Sequence, residues 1–253
     1  MLIRSKIVLF VAAMMMAIAT SSQGAILFDG QLGTAPSAQG WFFITDPFTG
    51  ALSTQTASVG WTTLDTRAQR TESAGYPGFG HPDIGTLDRT LGFTLSFDIK
   101  VIAESHVNTN RAGFSIIALA SDLKGVEISF WPNQIWTQND SPLFTHGESA
   151  NFNTTADFVD YDLTILGNSY QFSANGTTIL SGSLRDYSSF GFPYSVPNFV
   201  FMGDDTSAAS SAVQIAKVEL FKVPESGSLI LLMTGAGVMF LISLKRRCTI
   251  SRS

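Results

Sequence analysis

Residues 93–101 read Phe-Thr-Leu-Ser-Phe-Asp-Ile-Lys-Val, with an apolar side chain at every second position. A period of two puts Phe93, Leu95, Phe97, Ile99 and Val101 on one face of a strand, with Thr94, Ser96, Asp98 and Lys100 on the other. Shorter runs repeat the pattern: Phe114, Ile116 and Ala118; Val126, Ile128 and Phe130; Tyr161, Leu163 and Ile165; Tyr170 and Phe172; Phe199 and Phe201. In the last run Val213 and Ile215 give way to Val218 and Leu220, a change of phase that predicts a bulge or a change of partner. Leu166-Gly167-Asn168-Ser169 and Ala174-Asn175-Gly176-Thr177 supply hairpin turns, the second with the Asn-Gly pair that tight hairpins favour. The stretch from Leu27 to Pro82 is less regular, with early strands expected around 26–28, 41–44 and 62–64. No amphipathic helical run of about 12 residues or more interrupts residues 25–222. The pattern predicts an all-β, antiparallel two-sheet sandwich in one domain.

Two apolar blocks flank that domain. At the start, Arg4 and Lys6 precede thirteen residues of apolar character from Ile7 to Ala19, then Thr20, Ser21, Ser22, Gln23 and Gly24. The order of charged, apolar and small residues is that of a secretory signal peptide over residues 1–24, cut by signal peptidase before Ala25. Read as a helix, the apolar stretch spans about 20 Å, short of the roughly 30 Å a membrane anchor needs. At the other end Val223-Pro224-Glu225-Ser226 leads into an apolar run over 229–244, then Lys245-Arg246-Arg247 and a short tail, 248–253. That run predicts one short transmembrane helix, and the basic cluster keeps its end cytoplasmic. Both ends therefore place the domain beyond the inner membrane.

Charge and cysteine usage exclude several classes. Residues 26–222 carry nine Lys or Arg against nineteen Asp or Glu, a net charge of about −10. An acidic body without a basic stripe does not bind nucleic acid. The one cysteine, Cys248, lies in the tail, so neither disulfides nor a thiolate metal site hold the domain together.

The C-terminal segment 223–247 resembles the PEP-CTERM sorting signal of Gram-negative bacteria, with Ser226 where that motif usually carries a second proline. The resemblance implies transient residence in the inner membrane, processing by exosortase, and a final place at the cell surface or in the extracellular matrix. Within the body, Leu27-Phe28-Asp29-Gly30, Gly92-Phe93-Thr94-Leu95-Ser96-Phe97, Arg111-Ala112-Gly113-Phe114-Ser115, Gly125 through Trp131 and Asn198 through Thr206 are similar to the concanavalin-A-like (laminin-G-like) jelly roll. They look most like the choice-of-anchor variety of bacterial surface proteins. That resemblance implies an antiparallel sandwich whose ligand, if any, is polysaccharide.

Related jelly rolls include glycoside hydrolases, whose retaining members hold two carboxyls about 5–5.5 Å apart. Here the comparable strand offers only Glu127, followed by Ile128, Ser129 and Phe130. His81, His106 and His146 form no close-spaced ligand pair, and no nucleophile elbow, zinc-protease helix or phosphate loop occurs. The expectation is a protein that is not an enzyme and needs no cofactor. Trp131 and Trp136, beside Asn133 and Gln134, are candidates for stacking on sugar rings, with His106 and Arg111 bracketing a polar loop nearby. Asp204 and Asp205 are candidates for Ca²⁺, which takes clustered oxygen ligands; their alternative role is to cap a loop. Two readings stand beside glycan binding: a structural matrix protein without a discrete ligand, and a polysaccharide-cleaving enzyme, which would need an acidic pair converging in a cleft.

Overall fold

A computed structural model describes residues 24–46 and 51–222. In chain order the strands are β1 (Ala25–Asp29), β2 (Ile44–Thr45), β3 (Thr54–Ser58), β4 (Trp61–Asp65), β5 (Ala74–Pro77), β6 (Phe93–His106), β7 (Ser115–Leu119), β8 (Lys124–Trp131), β9 (Gln134–Asp140), β10 (Leu143–Asn151), β11 (Val159–Leu166), β12 (Ser169–Ala174), β13 (Thr177–Ser183), β14 (Arg185–Asp186), β15 (Phe199–Asp204) and β16 (Ala209–Lys222). The first sheet runs β13-β12-β11-β6-β16-β4-β3, with β1 also on β16; the second runs β10-β9-β8-β7-β15-β5-β2, with β14 on β8. All pairings are antiparallel. The fold is a two-sheet jelly-roll sandwich.

The alternation in β6 explains how the sheets meet. Phe93, Leu95, Phe97, Ile99 and Val101 are buried, while Thr94, Ser96, Asp98 and Lys100 are half-buried on the outside. Tyr161, Leu163 and Ile165 of β11 lie opposite Phe97, Leu95 and Phe93, and Val126, Ile128 and Phe130 of β8 close the same core from the other sheet. Phe97 sits at its centre, with ring centroids 5.6 Å from Tyr161, 6.0 Å from Phe172 and 6.2 Å from Phe130.

The phase change in β16 is a bulge. Its register against β6 shifts between Ile215 and Lys217. One extra residue there lets Val213, Ile215, Val218 and Leu220 all face the core. At the β12–β13 turn Asn175 and Gly176 both have positive φ, 48° and 74°, the geometry of a type I′ hairpin.

The region before β6 departs from expectation. The strand expected over 41–44 is confined to Ile44–Thr45, and Trp41 before it is buried with its Nε1–H donating to the Leu27 carbonyl at 2.8 Å. Strands β3 and β5 were not foreseen, since β3 (TQTAS) has no apolar face and β5 (AGYP) holds a glycine and a proline. The expected signal peptide (save Gly24), the sorting segment and the helix over 229–244 lie outside the described residues. Among the described residues no helix is long and apolar enough to cross a membrane.

Candidate functional site

With Val126, Ile128 and Phe130 turned inward, β8 presents Glu127, Ser129 and Trp131 on the outer face of the second sheet. On β9, Ile135 is inward and Trp136 and Gln138 are outward. Two coverings lie over that face. Residues 187–198 bring Tyr187 and Tyr194 down onto Ile117, Leu119, Phe199 and Phe201 in a second apolar cluster. Across from them, the loop before β7 is tied down by its own backbone: Asn110 O accepts from Gln138 Nε2 at 3.2 Å, and Arg111 O accepts from Trp131 Nε1 at 2.9 Å. Between the coverings opens a cavity of about 250 Å³, with Glu127 and Gln138 among its lining, Arg111 and Phe144 on one side and Phe190, Tyr194 and Asp205 on the other.

Glu127 is 1% exposed. The Tyr194 hydroxyl lies 2.6 Å from Glu127 Oε2 and 2.9 Å from Asp205 Oδ2, so the two carboxylate oxygens are no farther apart than those lengths laid end to end. A hydroxyl has one proton and cannot donate to two carboxylates. Burial pushes the Glu127 carboxyl well up, the Asp205 charge pushes it further, and Tyr194 and Arg111 pull the other way. Burial of its carboxyl also raises Asp205, against the Tyr194 hydrogen bond, its own backbone and Arg111. Asp205 nevertheless sits at the mouth, exposed as a residue, while Glu127 sits deepest. The pair titrates as a unit, with Glu127 the more strongly raised of the two. The Tyr194 hydroxyl therefore bridges the pair, donating to one carboxylate at a time. Tyr187 steadies the floor, donating to Gln138 O at 2.7 Å and accepting from Glu127 N at 3.3 Å.

Of the residues singled out by sequence, Glu127, Asp205 and Arg111 line this cavity, the last from the loop before β7. Its Nη1 donates to Asn110 O and Phe144 O at 2.6 and 2.9 Å, and its guanidinium stands 5.9 Å over the Phe144 ring. The tryptophans are placed otherwise than expected. Trp136 is 0% exposed and stacks on His146 at 4.2 Å, so no face is left for a sugar. Trp131 is half-buried against His106, at 4.2 Å and 11° between planes, and against Trp136 at 5.4 Å. His106 in turn meets Glu104, with Nδ1 3.0 Å from the carboxylate. These four rings hold the loop before β7 in place. Asp204 and Asp205 diverge: Asp204 is buried and accepts from Thr66 Oγ1 at 2.9 Å and Thr206 N at 3.2 Å, whereas Asp205 turns to Tyr194. Among the described residues no three His, Cys, Asp or Glu side chains are grouped to hold a metal. Tyr194 and Gln138 were not anticipated. The one hint to Tyr194 in the sequence is an aromatic-rich irregular stretch, Phe190 to Tyr194.

No family model matches the chain, and no curated protein matches it. Solved structures do share its shape. The carbohydrate esterase of the Shiga toxin-encoding bacteriophage phi24B superposes with a TM-score of 0.54 at 13% identity, over 80% of this chain and 100% of that one. Crh5 transglycosylase in complex with NAG gives 0.50 at 11% identity, over 81% and 86%. At such identities the likeness is one of fold.

The expectation of a non-enzymatic module does not stand. It rested on a missing second carboxylate beside Glu127, and Asp205 supplies one from just past the end of β15; two of the solved structures similar in fold are an esterase and a transglycosylase.

Proposed function

We propose that the protein is a carbohydrate-active enzyme that cleaves polysaccharide at Glu127, Tyr194 and Asp205 by acid–base catalysis. The observation that carries this reading is the Tyr194 hydroxyl held within hydrogen-bond distance of both carboxylates. Two carboxyls in unequal surroundings, one keeping its proton and one giving it up, divide the roles of acid and base. The spacing permitted by the Tyr194 bridge is compatible with the roughly 5–5.5 Å of retaining glycoside cleavage. In that scheme the Tyr194 hydroxyl gives its proton to the glycosidic oxygen and is reprotonated by Glu127, as the C–O bond breaks and Asp205 bonds to the anomeric carbon; water then displaces Asp205 from that carbon, its proton returning through Tyr194 to Glu127. The fold shared with a carbohydrate esterase and a transglycosylase supports a carbohydrate substrate.

The test is release of reducing ends from a panel of neutral and acidic polysaccharides by the purified chain. Turnover on at least one polymer is expected, lowered by roughly 10²–10⁴-fold in both Glu127→Gln and Asp205→Asn. Equal rates for wild type and both variants, or no turnover on any polymer, would overturn the reading. We place the reaction outside the inner membrane, on the strength of the signal-like residues 1–24 and the exosortase-type tail 223–247. The intact mass of the native protein tests this: retention of residues 229–247 would remove the sorting step.

A further inference from the structure

Beside the cavity mouth the structure exposes two large apolar rings on one short loop. Phe190 is 55% exposed and Phe192 69% exposed, the latter among the most exposed large hydrophobic side chains described. Phe190 belongs to the cavity wall, edge-on to Phe144 at 5.0 Å and to Tyr194 at 5.8 Å. Phe192 lies just beyond, backed by Phe79 with ring centroids 5.6 Å apart and planes at 25°. One face of Phe192 is thus held in place while the ring as a whole stays largely in water. A flat apolar surface propped open next to a polar cavity suits the CH-rich face of a sugar ring.

Inside the cavity a second observation points to the same kind of ligand. Gln138 is 4% exposed, and its Oε1 has no hydrogen-bond donor. The amide cannot simply be turned over, because its Nε2 donates to Asn110 O, which can only accept. A buried acceptor without a donor is costly to leave so, and a ligand hydroxyl entering the cavity supplies what it lacks. In the lining Arg111 offsets the acidic side chains, and the body around it carries a net charge of about −10 that repels polyanions.

We infer that the occupant is an uncharged glycan chain, one ring inside the cavity giving a hydroxyl hydrogen bond to Gln138 and the next ring outside, stacked on Phe192. This rests on the acid–base site described above and names its substrate class: an oligomer or polymer of neutral sugars, gripped across at least two units.

Calorimetric titration of the full chain with monomers and hexamers of glucose, mannose, galactose and xylose, and with uronic-acid hexamers, tests it. In one neutral series the hexamer is expected to bind about tenfold or more tighter than the monosaccharide. Phe192→Ala, at an exposed site, should remove that advantage and leave the monosaccharide unchanged, with an unchanged thermal midpoint to show that it folds. Gln138→Met, which keeps the shape and deletes the acceptor, should weaken both by a similar factor, and an unchanged thermal midpoint shows that it folds. Hexamer binding that is indifferent to Phe192→Ala, equal affinity for monomer and hexamer, binding of uronates alone, or no binding by any neutral sugar would overturn it. So would loss in Phe192→Ala of sedimentation with phosphatidylethanolamine–phosphatidylglycerol vesicles, which would give the rings to a membrane. The two readings fail separately. Turnover that survives Glu127→Gln while Phe192→Ala abolishes the chain-length effect sinks the acid–base site alone; the reverse pattern sinks this inference alone.

Discussion

Glu127 shows how one buried side chain ties chemistry to stability. Its carboxyl is raised well above the ordinary value by burial and by Asp205, so the folded protein holds its proton where the unfolded chain, ionising near pH 4.3, has lost it. The unfolded state then binds fewer protons, and this group's contribution falls as pH rises from the unfolded value toward the folded one. Glu127→Gln has no proton to lose. Its stability relative to wild type should rise with pH across that window, by up to about 1.4 kcal/mol per pH unit, as urea unfolding at pH 4 and at pH 8 would read. Tyr194→Phe tests the relay itself: deleting the hydroxyl leaves buried Glu127 without its bridging partner, and a loss of about 1–3 kcal/mol is expected in the same assay, together with a fall in turnover.

Elements differ in how much of them the residues announce. β6, the β12–β13 hairpin and the bulge in β16 were legible because each is a local matter, a period of two, an Asn-Gly pair, a slip of one residue. β3 and β5 were not, because an edge strand of Thr, Gln and Ser and a four-residue strand with Gly and Pro are held by their neighbours and not by their own pattern. The site was half legible. Glu127, Arg111 and Asp205 stood out as residues, but Glu127 meets Tyr194 from 67 positions away, and no spacing rule foretells a contact made by a loop folding back over a sheet. The tryptophans misled for a related reason: an aromatic at a strand end looks the same in sequence whether it faces solvent or lies under a loop. Two glycines separate the local from the tertiary. At Gly176, φ is +74° and an added Cβ would meet nothing within 4 Å, so Gly176→Ala should cost about 1–2 kcal/mol of backbone strain alone. At Gly125 a Cβ would fall 2.0 Å from the Ala118 carbonyl oxygen, so Gly125→Ala should part β7 from β8 and lose the cooperative thermal transition.

Across the whole molecule the two sheets are held together by one aromatic-rich core, and Phe97 is where its rings converge. Phe97→Ala should cost about 3–5 kcal/mol, which for a domain of this size lowers the thermal midpoint by roughly 10 °C, as calorimetry would show. The order of assembly follows from β16. The strand nearest the C-terminus of the domain is an interior one, with β6 on one side and β4 and β1 on the other. Until residues 209–222 arrive, the first sheet has a slot through its middle, and strands made much earlier have no neighbour to close against. A polypeptide built this way cannot close its first sheet before residues 209–222 have been made, and stays threadable through a narrow pore until then.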